Sequence, residues 1–347
     1  MPQKKVAVAM SGGIDSSVAV ALLKAQGYQV FGVTMMLHSK PDRKQSERLK
    51  QAVECLGIKH HMVDLRRHFQ HQVIKPFCSE YGQGRTPNPC IICNRHVKFG
   101  LLLDKARKMG ADYLATGHYA RIEAGPIGYR LLKGVDHGKD QSYFLYTLGQ
   151  EQLKHLLMPL GGLYKNQIRR MARELGLTEA EGHESQDICF VPDNDYRSFV
   201  AEHVSCKPGD IVNTNGEVLG RHNGLANYTI GQRQGLGLAS DKRLYVLRLD
   251  TRNNRLVVGS QSCLSNNGLI AGKLNWVSGK APQDSDGMTA RIRYKSPEVA
   301  INLRVNHDIA EVCFCQPQRS VSPGQAVVFY QGEAVSGGGI IESSELS

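Results

Sequence analysis

The run Ser11-Gly12-Gly13-Ile14-Asp15-Ser16-Ser17 constrains this chain more than any other stretch. It follows an apolar segment, residues 6–10, that reads as a buried strand, and it precedes residues 18–23, whose Val, Ala and Leu read as a helix. A glycine pair at such a junction lets the backbone approach a ligand closely. The helix start presents unpaired N–H groups and the positive end of its dipole, which suits phosphate. Ser11, Ser16 and Ser17 add hydroxyl donors, and Asp15 suits a metal ion or the orientation of a phosphate. No Gly-Lys-Ser/Thr ends the run, so it is not a Walker A loop.

The first 120 or so residues alternate strand and helix. Strands are predicted over 30–36, 60–64 and 113–116, and helices over 45–56, 69–81 and 96–109, with Pro76 weakening the second. Residues 82–94 carry two Gly and two Pro and read as loop. This alternation predicts an α/β domain with a parallel sheet, its ligands bound beyond the carboxyl ends of the strands. Further helices are predicted over 151–157 and 165–175. From about residue 195 the texture turns to short strands and glycine-rich turns, with a hairpin around Asn253-Asn254. From about residue 269 the pattern is all β and predicts a small barrel or sandwich. Boundaries near Val200 and Gln261 divide the chain into units 1–200, 201–261 and 262–347.

At 347 residues with a formal charge of +11, the chain favours a polyanionic partner, nucleic acid before membrane. Its apolar runs fall short of the ~20 residues of a membrane span, and its start is too short for a signal-peptide core, so a cytoplasmic protein is predicted. Nine cysteines in such a chain point to metal binding or catalysis rather than a disulfide scaffold.

Two cysteine sites stand out. In Asn88-Pro89-Cys90-Ile91-Ile92-Cys93-Asn94, Asn94 reads as the cap of the helix from His96, which places Cys93 beside a helix N-terminus. That position, with Arg95, His96 and Lys98 nearby, lowers a thiol pKa. The Cys-x-x-Cys spacing also suits a metal, although zinc usually needs a second pair. Cys189 lies in residues 185–191, a strand-like apolar stretch where a lone cysteine by itself reads as a core residue. Cys313 and Cys315 share one strand face and read as core.

The loop at Ser11 resembles the PP-loop of ATP pyrophosphatases, whose domain is of the adenine nucleotide alpha hydrolase-like type. Together with Thr86-Pro87-Asn88-Pro89, Cys93-Asn94, Ala115-Thr116-Gly117-His118-Tyr119, residues 139–145, Ile188-Cys189-Phe190, residues 228–233, Pro323-Gly324-Gln325 and Gly337-Gly338-Gly339-Ile340-Ile341, it makes nearly the whole chain resemble the bacterial tRNA-specific 2-thiouridylases. The resemblance implies ATP with Mg2+, adenylation of the 2-oxygen of the wobble uridine of tRNA, and sulfur carried as a persulfide on Cys189 from an upstream sulfur-relay protein. Cys93 then acts as nucleophile and closes a disulfide with Cys189.

Carried over residue by residue, the resemblance implies that Ala9, Met10, Ser11, Gly12, Gly13, Ile14, Asp15, Ser16, Met35 and Gly117 line the ATP site. Asn88, Pro89 and Cys90 face the target base. His118, Lys139, Asp140, Gln141, Arg293, Tyr294 and Gln325 contact tRNA. Relatives differ from residues 37–44 of this chain, and some carry Asp at the place of Cys90. The latter keeps open an iron–sulfur cluster held by Cys90, Cys93 and Cys189, with one iron free for external sulfide. Another adenylating PP-loop enzyme needs no such cysteines, and a non-catalytic RNA-binding protein needs no intact phosphate loop.

Overall fold

The buried strand that leads into the phosphate loop is the centre of a parallel sheet. In the computed structural model, which describes residues 3–38, 43–177, 188–239 and 241–344, β1 (Lys5–Ala9), α1 (Ile14–Ala25), β2 (Gln29–Met36), α2 (Arg43–Leu56) and β3 (Lys59–Asp64) open the chain. Residues 39–42 of the departing segment and 185–187 before Cys189 lie outside the described residues. A helical stretch then runs from α3 (Arg66–Phe69) through a π-helical turn (Gln70–Ile74) to α4 (Lys75–Gly82). The widened turn directly precedes Pro76, whose ring and missing N–H fit poorly inside an α-helix.

After a short loop come α5 (Pro89–Ile92), a π-helix (Cys93–Leu102), α6 (Leu103–Lys108) and β4 (Tyr113–Ala115). The hairpin β5 (Ala120–Gly125) and β6 (Gly128–Lys133) follows, then α7 (Gln150–Leu153), β7 (Leu156–Leu157) and α8 (Lys165–Glu174). The predicted helix over 151–157 therefore stops at Leu153, and its last residues pair as a strand with β4. The sheet order is β3-β2-β1-β4-β7, all parallel, so β1 sits at the point where connections reverse direction. Val6, Ala7 and Val8 are fully buried, as a central strand covered on both faces requires.

Beyond α9 (Tyr196–Ala201), four strands form a small sheet: β8 (Gly209–Val212), β9 (Val218–His222), β10 (Tyr245–Asp250) and β11 (Arg255–Gly259), in the order β10-β11-β8-β9. The predicted hairpin is present, and Asn254 takes a left-handed turn conformation with φ 51°. The last unit comprises β12 (Ser265–Trp276), β13 (Met288–Arg291), β14 (Val299–Asn306), β15 (Ile309–Arg319), β16 (Ala326–Gln331) and β17 (Ala334–Ser343). Their order, β12-β15-β14-β13-β16-β17, closes through a β12–β17 pairing into an antiparallel barrel.

Along β15, Ala310, Val312 and Phe314 point inward, so the strand alternation turns Cys313 and Cys315 outward. Both are exposed, which corrects their reading as core.

The hairpin β5–β6 leaves the parallel sheet and joins the barrel, with Ala334 opposite Leu132. Polar bonds reinforce the seam. Lys133 Nζ donates to Glu298 and to the Gly332 carbonyl, and Tyr143 OH donates to the Ala326 carbonyl. One hydrophobic core contains Phe69, Phe77, Phe99 and Tyr143 together with Ala326, Val328 and Tyr330 of the barrel. The first and last units are thus a single packed body.

Candidate active site

The phosphate loop closes β1 and starts α1. Gly13 is the N-cap, with φ −89° and ψ 157°, and no side chain bonds to the helix's first N–H groups. Those groups stay available to an anion. Gly12 has φ +78°, and a Cβ there would lie 2.7 Å from the Gln45 carbonyl oxygen, so the turn demands glycine. Gln45 Nε2 donates to the Ser11 carbonyl at 2.7 Å, tying α2 to the loop. Thr34 Oγ1 donates to the Met10 carbonyl at 2.8 Å and ties on β2. Ser16 and Ser17 differ from expectation: both hydroxyls donate to the Gly13 carbonyl, at 3.0 and 3.2 Å, and brace the loop from inside. Ser11 alone of the three is exposed.

Ala9 through Ser16 are contiguous at the carboxyl end of β1, and Met35 lies half-buried near the same end of neighbouring β2. Gly117 follows β4 on the other flank. A Cβ on Gly117 would stand 3.0 Å from the Asp15 carbonyl carbon and 3.1 Å from the Ser16 nitrogen, so this segment lies directly against the loop. The Asp15 carboxylate already has partners. Lys165 Nζ reaches its two oxygens at 2.7 and 2.9 Å, and Tyr119 OH donates to it at 2.8 Å. Lys165 escaped the sequence reading, because it lies 150 positions away in an ordinary helix start.

The thiol loop corrects the reading of residues 82–94. Asn88, not Asn94, is the N-cap, and its side chain accepts from the Cys90 N–H at 3.2 Å. Pro89 occupies the first helical turn, where its missing N–H costs nothing. Cys90 is therefore in that first turn and Cys93 lies a turn further in, where the π-helix begins. Asn94 is buried and donates to the Phe144 carbonyl at 3.1 Å.

Cys189 sits in a turn rather than a strand and is exposed. The buried Phe190 beside it anchors the turn among Phe69, Phe77 and Phe199, with ring centroids 5.6, 5.2 and 5.3 Å away.

All nine cysteines are free thiols. Desolvation pushes Cys93 up to about 11 and Cys189 up to about 12, and it raises Cys90. Crowding by protein thus overrides the lowering predicted for a helix N-terminus. Cys90 and Cys93 raise Cys189 further, while Lys98 pulls all three thiols back down. The three thiols perturb one another, yet among the described residues no group of three Cys, His, Asp or Glu could hold a metal ion. That arrangement gives the cluster reading no support.

Residues 116–118 join the two halves. Thr116 Oγ1 lies 2.7 Å from His118 Nδ1, and Lys98 Nζ lies 3.5 Å from His118 Nε2. Burial first, and Lys98 second, drive the His118 pKa well below its usual value. With the Lys98 ammonium donating to Nε2, the ring's proton belongs on Nδ1, facing Thr116. Gly117 touches the phosphate loop and His118 touches the lysine that faces the thiols. One turn therefore spans both chemistries.

The remaining expected contacts divide. Asp140 is fully buried: it accepts from Gly134 N, Ser142 N and Ser142 Oγ and pairs with Arg291 at 3.1 Å. Gln141 Oε1 accepts from Tyr119 N at 3.0 Å and clamps the segment after His118. Lys139 is half-buried beside them. Arg293 Nη2 donates to the Ser320 carbonyl at 2.6 Å and Ser322 Oγ at 2.7 Å, and Tyr294 packs on Phe144 with centroids 4.5 Å apart. Gln325 Nε2 donates to the Thr86 carbonyl at 2.7 Å, which fixes the barrel to the thiol loop. Lys98 is the cation expected near Cys93, whereas Arg291 is absent from the expected set and carries no local signal beyond its charge.

A parallel sheet with reversed connections at β1 and an open phosphate loop defines a nucleotide-binding HUP-type protein, and three family models match the chain in succession. They are described as the tRNA methyl transferase HUP domain over residues 4–193, the tRNA methyl transferase PRC-barrel domain over 197–260 and the aminomethyltransferase beta-barrel domain over 266–341. The chain belongs to the tRNA-specific 2-thiouridylase family. It is 47% identical to tRNA-specific 2-thiouridylase MnmA 1 of Caldanaerobacter subterraneus subsp. tengcongensis, over 97% of this chain and 98% of that one. It is also 47% identical to the MnmA of Carboxydothermus hydrogenoformans, over 98% of both. With the MnmA of Acidithiobacillus ferrooxidans it shares 44% identity over 99% of this chain and 100% of the other.

Proposed function

We propose that the chain is an ATP-dependent tRNA-uridine 2-sulfurtransferase acting on the wobble uridine in the cytoplasm. The observation that carries this reading is the 116–118 turn, which touches the phosphate loop through Gly117 and the thiol site through His118 and Lys98. The family-model descriptions speak of methyl transfer and the relatives' names of thiolation; thiols that share Lys98, linked to the phosphate loop through residues 116–118, suit the latter.

The uracil 2-oxygen attacks the α-phosphorus of ATP, an O–P bond forms and pyrophosphate leaves. The α-1 helix start binds the phosphates, and Asp15 and Mg2+ serve the same end of the site. The terminal sulfur of a Cys189 persulfide, loaded by a sulfur-relay protein, attacks C2. Cys93 then attacks the inner sulfur, so the S–S bond breaks, the outer sulfur stays on C2 and AMP departs. A Cys93–Cys189 disulfide remains, which a two-electron reductant reopens. Lys98 is the cation that favours the anionic sulfurs. Asn88, Pro89 and Cys90 face the base, and Lys139 with the excess positive charge serves the tRNA backbone.

The test is nucleoside mass spectrometry of a tRNA transcript incubated with the chain, ATP and a persulfide-loaded donor. Wild type yields 2-thiouridine at the wobble position. Cys189→Ser loses the protein-bound persulfide, and Cys93→Ser accepts the persulfide without transferring it. No 2-thiouridine from wild type, or wild-type rates from Cys93→Ser, refutes the scheme.

A further inference from the structure

Residues 134–142, which follow β6, close on themselves around one buried aspartate. The Asp140 carboxylate accepts from Gly134 N and Ser142 N, each at 3.0 Å, and from Ser142 Oγ at 2.9 Å. Its side chain has no exposure, and Arg291 of the barrel pairs with it at 3.1 Å. Glu298 holds the far side of Arg291 at 2.7 Å. A carboxylate sealed in this way cannot reach a polyanion, and in the open it would repel one. Gln141 is also turned inward. Its N–H donates to the Tyr119 carbonyl at 2.9 Å, and its Oε1 accepts from the Tyr119 N–H at 3.0 Å. One residue therefore holds both backbone groups of Tyr119. Gly134 presses on the same carbonyl: a Cβ there would lie 2.7 Å from the Tyr119 oxygen. Tyr119 itself is buried, and its hydroxyl donates to Asp15 at 2.8 Å. Asp15 stands in the first turn of α1, at the phosphate loop. The strap 134–142 thus sets Tyr119, and Tyr119 sets the Asp15 carboxylate.

We infer that Asp140 and Gln141 are positioning residues of the ATP site rather than tRNA contacts, acting through Tyr119 on Asp15. Arg291 completes the strap from the barrel, so the last unit of the chain helps to shape a site built on β1 and α1. A hydroxyl bonded to one carboxylate oxygen fixes the orientation of Asp15, and a side chain already in place meets the nucleotide without first having to be ordered. The inference rests on the adenylating reading above and gives Tyr119, Asp140 and Gln141 a role that reading leaves out. It also separates two ligands. ATP affinity depends on Gln141; tRNA affinity does not.

The experiment measures ATP affinity by calorimetry, and tRNA affinity by filter binding without ATP. It uses the full chain and its variants Gln141→Leu, Gln141→Glu, Tyr119→Phe and Tyr119→Phe/Gln141→Leu. Gln141→Leu removes the acceptor for the Tyr119 N–H and is expected to weaken ATP roughly three- to tenfold, the worth of one hydrogen bond, while tRNA affinity stays within about twofold. Gln141→Glu keeps an acceptor at the same place and restores most of the ATP affinity. Both residues act through one hydroxyl, so in the Tyr119→Phe background Gln141→Leu costs less than about twofold. Undiminished ATP binding by Gln141→Leu overturns the inference, as does a tRNA loss of about tenfold with ATP unchanged, which makes Gln141 a tRNA contact. An equal Gln141→Leu penalty in both backgrounds overturns it too, as the mark of a general packing defect. Gln141→Ser repeats each comparison if Gln141→Leu does not fold. Failure of the parent reading looks different: ATP binding that depends on Gln141, in a chain that forms no 2-thiouridine, refutes sulfur transfer and upholds this assignment.

Discussion

The resting thiol of Cys93 should be slow. Desolvation holds Cys93 at about 11 and Cys189 at about 12. Free cysteine, with a pKa of about 8.5, is about one-tenth thiolate at about pH 7.5. At the same pH Cys93 is about three parts in ten thousand thiolate, roughly 300-fold less. A more basic thiolate is also a better nucleophile, and a Brønsted slope of about 0.4–0.5 returns roughly tenfold. The net expectation is reaction with a small symmetric disulfide about 15–30-fold slower than free cysteine at Cys93.

The sign of the pH dependence follows. A thiol whose pKa is raised is protonated throughout the neutral range, so its rate climbs about tenfold per pH unit to at least pH 10 or so, where free cysteine has levelled. Lys98→Met, which removes the cation that opposes the rise, should slow both thiols further. The assay is peptide-resolved mass spectrometry after timed quenching, which separates nine cysteines in one sample. If Cys93 reacts at pH 7.5 or so as fast as free cysteine, desolvation does not control it, and helix-start activation regains the argument.

Three further outcomes follow from the packing. Gly117→Ala places a Cβ 3.0 Å from the Asp15 backbone; it should lose about 1–3 kcal/mol of stability and raise the KM for ATP while leaving the thiol rates unchanged, checked by ATP titration beside the disulfide assay. Arg291→Met strands the fully buried Asp140 carboxylate and should cost about 3–5 kcal/mol, read as a lowered urea midpoint that Asp140→Asn partly restores. Affinity for tRNA should fall linearly with salt on logarithmic axes, and Lys139→Glu should weaken binding and flatten the slope; filter binding across a salt series that shows no slope refutes the electrostatic component.

Local features were the legible ones. The strand–loop–helix at Ser11 and the hairpin at Asn253-Asn254 depend on neighbouring residues, and a chain carries those signals in plain view. The π-helix from Cys93 leaves no such signal, because a widened turn blurs the apolar period of 3.6 residues that marks an α-helix. Pro89 was read as a breaker, although the first helical turn is where proline belongs. Cys93 was expected to be activated, since proximity to a helix start is a sequence property and desolvation is not. Lys165 with Asp15, and Arg291 with Asp140, join residues 150 and 151 positions apart. Each partner alone is an ordinary charge, and only the tertiary fold makes it part of a site.

The seam between barrel and thiol loop sets the order in which the protein can be completed. Thr86 N donates to the Pro323 carbonyl, Gln325 donates back to Thr86, and Gly324, with φ +91°, leaves no room for a Cβ against Thr86. Arg85 reaches Glu342. Synthesis runs from the N-terminus, and domains tend to fold as they emerge. Here the segment leading to Cys90 and Cys93 gains its last partners only when residues 323–342 have left the ribosome, more than 200 positions later. Until then the barrel-facing half of the common core, including Tyr143 and Asp140, is uncovered. A truncated or stalled chain therefore holds the reactive cysteines without the frame that positions them, and the finished arrangement of the thiol loop is a property of the full-length product alone.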